Sequence, residues 1–295
     1  YRKGCSGMFM EGKFYKKIFS KLSKKTQIKS KKIGKQILNQ YTHPRFNIID
    51  KRKFTKINKN KNSNSLSRKA RIIKKSNKIK VLILVQSLSD SPHAYGKNLF
   101  PDFYEWFRTL SQLISKTDYD WYIKPHPIYY ESDMVEVKRF LHNNKNVSLI
   151  PARILNRQIV KEDLDFVLTV YGSAGREYPP HGITVINGSL HNPHIDFSFN
   201  LHPKNLKEYK NMIMNLDKIN HKVNFEEIYI FNFMRFVYFD NNFLFDNFDK
   251  MIALMKDAKF VYTSGFYIKW IDSWNKEKHQ QVINSVKDFS KSKDY

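Results

Sequence analysis

At residues 81–85 the chain reads VLILV, five apolar residues with no polar break. A half-buried strand would alternate. An unbroken apolar run of strand length needs cover on both faces, as in a parallel sheet with helices on either side. Further strand-length segments follow at WYIKPHP (121–127), VSLI (147–150), DFVLTV (165–170) and ITVIN (183–187). Between the first two lies FPDFYEWFRTLSQLISK (100–116). Its Phe103, Trp106, Phe107, Leu110, Leu113 and Ile114 fall at i, i+3, i+4, i+7 spacing, the signature of an amphipathic helix. DMVEVKRFLHNN (133–144) and NLKEYKNMIMNL (205–216) predict further helices, ARILNRQIVKE (152–162) a helix or turn, and 173–181 a short helix ending near Gly182. Strands alternating with helices imply right-handed βαβ units. The expected fold class is α/β, a Rossmann-like parallel sheet over residues 79–216. Residues 217–295 are expected to form a helical extension packing on it. There EEIYIFNFMRFVYF (226–239) supplies core aromatics and NFDKMIALMKDA (247–258) an amphipathic helix.

Charge divides the chain at the same boundary. The net formal charge is +25, and residues 1–80 hold 26 Lys/Arg against two acids, Glu11 and Asp50. Residues 81–295 are nearly balanced, with 26 Lys/Arg and 25 Asp/Glu. Such a segment is either a solvated, irregular arm or a contact for nucleic acid or an anionic membrane face. Only FYKKIFSKL (14–22) has helical apolar spacing, and 56–78 is low in complexity. Residues 1–78 are therefore expected to be a basic, largely irregular arm, or the remnant of an amino-terminal domain, that packs little on the body. With one cysteine, Cys5, no intramolecular disulfide can form, and a reducing, cytoplasmic setting is expected. There is no run of 18 or more apolar residues. The first residue is Tyr rather than Met, so the chain is expected to be a fragment or to begin inside a longer protein.

Ligands of open α/β sheets bind outside the carboxyl ends of the strands. Four polar clusters fall there: Ser87–Gly96, Lys124–Pro127, Tyr171–Glu177 and Gly188–His194. In YGSAGRE, Gly172 suits a tight turn and Ser173 a helix N-cap. The backbone N–H groups of Ala174 and Gly175 would then face an anion, with Glu177 one turn later for ribose hydroxyls. The same string also fits a plain strand, turn and helix. In KPHP, His126 sits between two prolines in a restricted backbone, as suits a preorganised donor to a phosphate, and Lys124 adds charge. The other reading is a proline-rich strand exit with an exposed histidine. His191 and His194 are three apart but lack a fitting set of metal-ligand partners, so no metal is expected. No Walker loop, GxGxxG, nucleophile elbow or HExxH occurs.

In order, these segments are a strand, DSP, an F-x-D-x-x-x-W helix, IKPHP, YGSAGREYPPHGITVIN and NPH. The series resembles the nucleotide-binding half of capsule polysaccharide biosynthesis glycosyltransferases, over residues 79–240. That family has the GT-B fold and includes bacterial Kdo transferases. The resemblance implies a cytoplasmic transferase, at the cytoplasmic face of the inner membrane, moving a sugar from a CMP- or UDP-linked donor to a surface polysaccharide or glycolipid acceptor without a cofactor. It implies His126 as the catalytic residue. Nucleotide-sugar contacts would come from Lys124, Pro127, Gly172, Ser173, Ala174, Gly175 and Glu177, with Asn192 and His194 from the NPH segment. The pattern departs from the family before residue 79. A GT-B enzyme needs an amino-terminal Rossmann domain, and residues 1–78 are too short and too basic to be one, so no catalytic base is assigned. Peripheral contact with an anionic membrane is a further expected partner, and specific nucleic-acid binding is not expected. The competing readings are a basic nucleic-acid-binding protein and a non-catalytic scaffold, each with an α/β body.

Overall fold

The computed structural model describes residues 11–42, 71–88, 98–126, 130–238, 264–272, 274–277 and 279–291. They fall into two compact units, one holding the described residues up to 233 and the other those from 234 onward.

The first unit is built on a five-stranded sheet: β1 (Lys80–Leu84), β2 (Asp120–Lys124), β3 (Val147–Leu149), β4 (Phe166–Thr169) and β5 (Thr184–Asn187). All neighbours pair in parallel, in the order β3-β2-β1-β4-β5. The Rossmann-like parallel sheet expected from the apolar runs is the observed fold class. All five residues of β1 are buried, as an unalternating strand requires.

The two faces of the sheet are covered differently. One carries Val81, Ile83, Trp121, Ile123, Phe166, Leu168 and Ile186. Against it pack three helices in which basic, acidic and polar residues alternate with a continuous apolar stripe: α3 (Phe103–Ile114), α4 (Glu131–Asn143) and α7 (Leu206–Met214). α3 starts where Asp102 accepts from the Glu105 N–H at 2.8 Å, and α7 where Asn205 accepts from the Glu208 N–H at 2.9 Å. Each such cap satisfies an otherwise orphaned donor and is worth about 1 kcal/mol. Trp106 of α3 donates from its indole to the Tyr209 hydroxyl of α7 at 2.8 Å, so the buried polar tips of both rings are paired. The opposite face carries Leu82, Leu84, Tyr122, Val167 and Val185. Among the described residues it is covered by two single helical turns, α5 (Asn156–Ile159) and α6 (Ala174–Glu177), helped by Ile73, Ile150, Ile154 and Ile183 from the connections.

The basic segment differs from its expectation. Over Glu11–Lys21 (α1) and Lys24–Thr42 (α2) it is helical, and α2 packs closely on α8 (Phe225–Phe233). The contact is one that apolar spacing does not reveal. A Cβ on Gly34 would lie 1.9 Å from the backbone oxygen of Tyr229, so only glycine allows the two helices this approach. Ser30 and Leu38 are buried on either side of it. Tyr15 and Phe19 of α1 are buried as well, and the Tyr15 ring meets that of Phe231 at 5.7 Å. Helix α8, expected in a carboxyl-terminal extension, is thus part of the same unit as the sheet.

In the second unit a π-helical turn, Met234–Tyr238, precedes two described helices, α9 (Ser264–Asp272) and α10 (Gln280–Lys291). Trp274 and His279 stack at 4.3 Å between them. The expected helix at 247–258 lies outside the described residues.

Candidate functional site at the carboxyl edge of the sheet

The chain runs outward from β1 through β2 to β3, then returns across β1 to β4 and β5. The connections therefore reverse direction between β1 and β4, the switch point outside whose strand ends open α/β sheets place their ligands. Gln86, two residues beyond β1, spans this point. Its side-chain oxygen accepts from the Tyr171 N–H at 3.0 Å. The buried Ser87 donates to Asp133 at 2.8 Å, and Asp133 also accepts from the Tyr130 N–H at 3.1 Å. The end of β1 is thereby tied to the start of α4. The ladder continues past the strand ends, with the Val85 N–H donating to Lys124 O at 3.0 Å and the Gly188 N–H to Thr169 O at 2.7 Å.

His126 stands two residues past β2 and is exposed. Lys124 is the last residue of that strand, paired in register with Leu84, and is 4% exposed. The charge expected at this edge thus belongs to a buried side chain. Pro127 lies outside the described residues.

The Tyr171–Glu177 segment departs from the cradle expected of it. Gly172 has ordinary space around it, since a Cβ there would meet Thr169 Oγ1 at 3.6 Å and Gln86 Nε2 at 3.8 Å. Among described glycines only Gly182 takes a positive φ, 79°, where it closes the short 3-10 helix Pro179–His181. Ser173 has helical backbone angles and makes no capping bond with its side chain. Its carbonyl instead accepts from the N–H groups of Arg176 and Glu177 at 2.9 and 3.0 Å. Ala174 is buried among the side chains of the Leu82 face. Gly175 is required by packing, because a Cβ would fall 2.6 Å from His194 Nδ1 and 2.7 Å from Asn200 Nδ2. Asn200 also donates to the Gly175 carbonyl at 2.9 Å. Glu177, half-buried, accepts from Asn156 at 2.6 Å and so binds α6 to α5.

The Gly188–His194 loop is likewise organised inward. Asn192 is fully buried and donates to Ser189 O at 2.9 Å, and its side-chain oxygen accepts from the His194 N–H at 2.9 Å. Asn192 Nδ2 also lies 3.2 Å from His202 Nδ1, and His202 Nε2 lies 3.1 Å from Phe197 O. Those partners place the His202 proton on Nε2. Burial is the main cause holding the His202 pKa down at about 4. His194 is 3% exposed and sits among Phe199 and Phe231 at 5.7 and 4.8 Å. Burial, with the nearby charge of Arg176 and then of His202, pushes its pKa well below the ordinary value. Next to this aromatic cluster, Glu227 of α8 takes hydrogen bonds from Lys16 and from the backbone and hydroxyl of Ser198. Burial alone would raise that carboxyl, but these bonds bring it below its usual value. His194 thus meets α8 through Phe231, and Asp196 and Ser198 just beyond the loop meet Lys16 of α1 and Glu227 of α8.

Asn187 was absent from the residues singled out by sequence. It ends β5, is 1% exposed, and has no partner for either side-chain amide atom among the described residues. His194 Nδ1, Asn200 Oδ1 and the Tyr178 hydroxyl share that condition. Strand alternation puts Asn187 on the face of Val185, which packs with Ala174 and Tyr178. Buried amides without partners are uncommon in folded proteins. The only signal in the sequence was a polar residue closing the apolar run ITVIN.

No family model matches the chain, and no curated protein matches it. Among solved structures it is similar to Thermosulfurimonas dismutans KpsC, a beta Kdo 2,7 transferase, with 11% sequence identity and a TM-score of 0.45. The likeness covers 77% of this chain and 61% of that one, so the chain spans about three fifths of that protein's length. Among the described residues no helix is long and apolar enough to cross a membrane.

Proposed function

We propose that this chain is the nucleotide-binding half of a glycosyltransferase that takes a CMP- or UDP-linked sugar and serves a polysaccharide or glycolipid acceptor. The observation that carries the reading is the reversal of connections between β1 and β4. It puts the switch point of the sheet at Gln86 and Tyr171, with His126 exposed on the neighbouring strand end. The ordered series of segments, from the strand at 81–85 to NPH, supports the choice of chemistry. In the transfer, an acceptor oxygen attacks the anomeric carbon, the bond from that carbon to the phosphate oxygen breaks, and the acceptor proton passes to a base. The nucleotide phosphate leaves with the bonding pair. A donor fixed beside it lowers the barrier by stabilising that charge. His126 is the group proposed for this role. The nucleotide phosphates lie nearer the β1–β4 switch point and β2 than α6, whose single turn is packed from below by His194 and Asn200.

Calorimetry on the full chain with CMP, UDP and GMP tests the reading. Binding of a pyrimidine nucleotide, weakened by His126→Ala, is the expected result. A folded protein that takes up none of the three at millimolar concentration overturns it.

A further inference from the structure

We propose that the outward face of α2 is a docking surface for an anionic lipid bilayer. The inner side of this helix is committed: Gly34 lies against the Tyr229 backbone, Ser30 and Leu38 are buried, and Lys31 pairs with Glu226 at 2.7 Å. Lys24, Lys25, Lys29, Lys32 and Lys35 are all exposed. At about 100° per residue, Lys25, Lys29, Lys32 and Lys35 fall within one arc of about 120°, along roughly 15 Å of helix. Ile28 lies inside that arc and is 61% exposed. Between Glu11 and Asp50 the sequence contains no acid, so no carboxylate of α2 itself offsets the charge. Lys17 and Lys21 of α1 are exposed too.

The composition of the face selects the partner. It holds lysines, one isoleucine and the amides Gln36 and Asn39, with no arginine and no aromatic ring. Lysine ammonium groups are point charges that a diffuse anionic plane attracts without directional geometry, at about 1 kcal/mol each near the surface. Nucleic-acid contacts draw on arginine forks and on aromatic platforms for bases, which this face lacks. An apolar side chain at the centre of a lysine stripe suits shallow insertion below the headgroups. Because α2 is clamped to α8 from behind, the stripe is presented ready-formed. The proposal does not depend on what the sheet edge binds.

Co-sedimentation of the full chain with vesicles is the test. Binding to phosphatidylcholine vesicles that contain phosphatidylglycerol, and not to pure phosphatidylcholine, is expected. Lys25→Gln/Lys29→Gln/Lys32→Gln should weaken it about 100-fold. Arginine at the same three positions should keep it. Ile28→Ser should weaken it about fivefold, since little apolar area is lost. Melting temperature identifies any variant that fails to fold, and Lys24→Gln/Lys35→Gln then serves as the second charge-removal pair. Equal binding to neutral vesicles, or unchanged binding by a folded charge-removed variant, overturns the proposal. So does tighter binding to an oligonucleotide than to the anionic vesicles.

Discussion

His126 and His194 stand on opposite flanks of the same sheet edge, and their surroundings have little in common. His126 is exposed on the turn after β2. His194 is 3% exposed after β5, walled by Gly175, Phe199 and Phe231. The flank at β4 and β5 looks in sequence like a ligand cradle, with glycines, a serine, a glutamate and a histidine. In the fold Gly175 is spent on close packing against His194 and Asn200, Glu177 on Asn156 of α5, and His194 on Phe231 of α8. The flank at β1 and β2 keeps its histidine outward. A strand-end motif therefore marks where polar residues gather, and only their partners decide between a binding surface and a joint.

The largest expected difference between the flanks is in their response to acid. His194 and His202 are buried with pKa values below the ordinary 6.5, His202 at about 4. The folded chain keeps them neutral while the unfolded chain takes up protons once the pH drops below about 6.5. Stability is then fully present above that value and is lost as the pH falls toward about 4. Each such histidine removes about 1.4 kcal/mol per pH unit across its window. For His202 this reaches about 2 kcal/mol at pH 5, and His194 adds a loss of the same sign. Arg176, His221 and Glu227 also face this pair, and the burial outweighs the Glu227 carboxylate. Denaturant unfolding at a series of pH values should show the fall, and His202→Gln should flatten it. A stability that does not change between pH 7 and pH 5 would contradict the packed-flank description.

Two glycines three residues apart give the next contrast. Gly175→Ala places a methyl against His194 and Asn200 at 2.6 and 2.7 Å, and both are held by their own buried surroundings. Overpacking of that kind costs about 3 kcal/mol. Gly172→Ala meets only ordinary contacts at 3.6 and 3.8 Å, and no positive φ forbids it. Its effect should stay within about 0.5 kcal/mol. Thermal unfolding of the two variants decides the matter. Equal losses would mean that Gly172, too, serves a close approach.

The sheet was legible because its information is local. VLILV states that both faces are covered, and the α3 spacing states which side of that helix is buried. The roles of Gly175 and Glu177 were not legible, since the atoms that define them belong to residues 194, 200 and 156. The same holds for α2. Its buried line is Ser30, Gly34 and Leu38, four apart, and two of these three residues are small rather than apolar. A scan for hydrophobic periodicity gives such a line little weight among the many lysines. Helix α2 is stabilised by backbone approach to α8, a tertiary effect with no trace in its own composition.

The smallest stability effect, and the most informative one, belongs to His126. As an exposed residue beyond the end of β2 it should tolerate His126→Ala within about 0.5 kcal/mol. If it donates to a nucleotide phosphate, the same change should lower nucleotide affinity about tenfold, the usual worth of a hydrogen bond to a charged group. His194→Ala should show the opposite pattern. Loss of its ring leaves a void among Phe199, Phe231 and Asn200, so the melting temperature falls, while affinity follows only the folded fraction. Measuring both quantities on both variants separates the flanks. A His126 variant that melts early and binds normally would make His126 another structural joint. The proposed nucleotide site would then rest on Gln86 and the Tyr171 turn alone, where the Gln86 side chain bridges from β1 to β4.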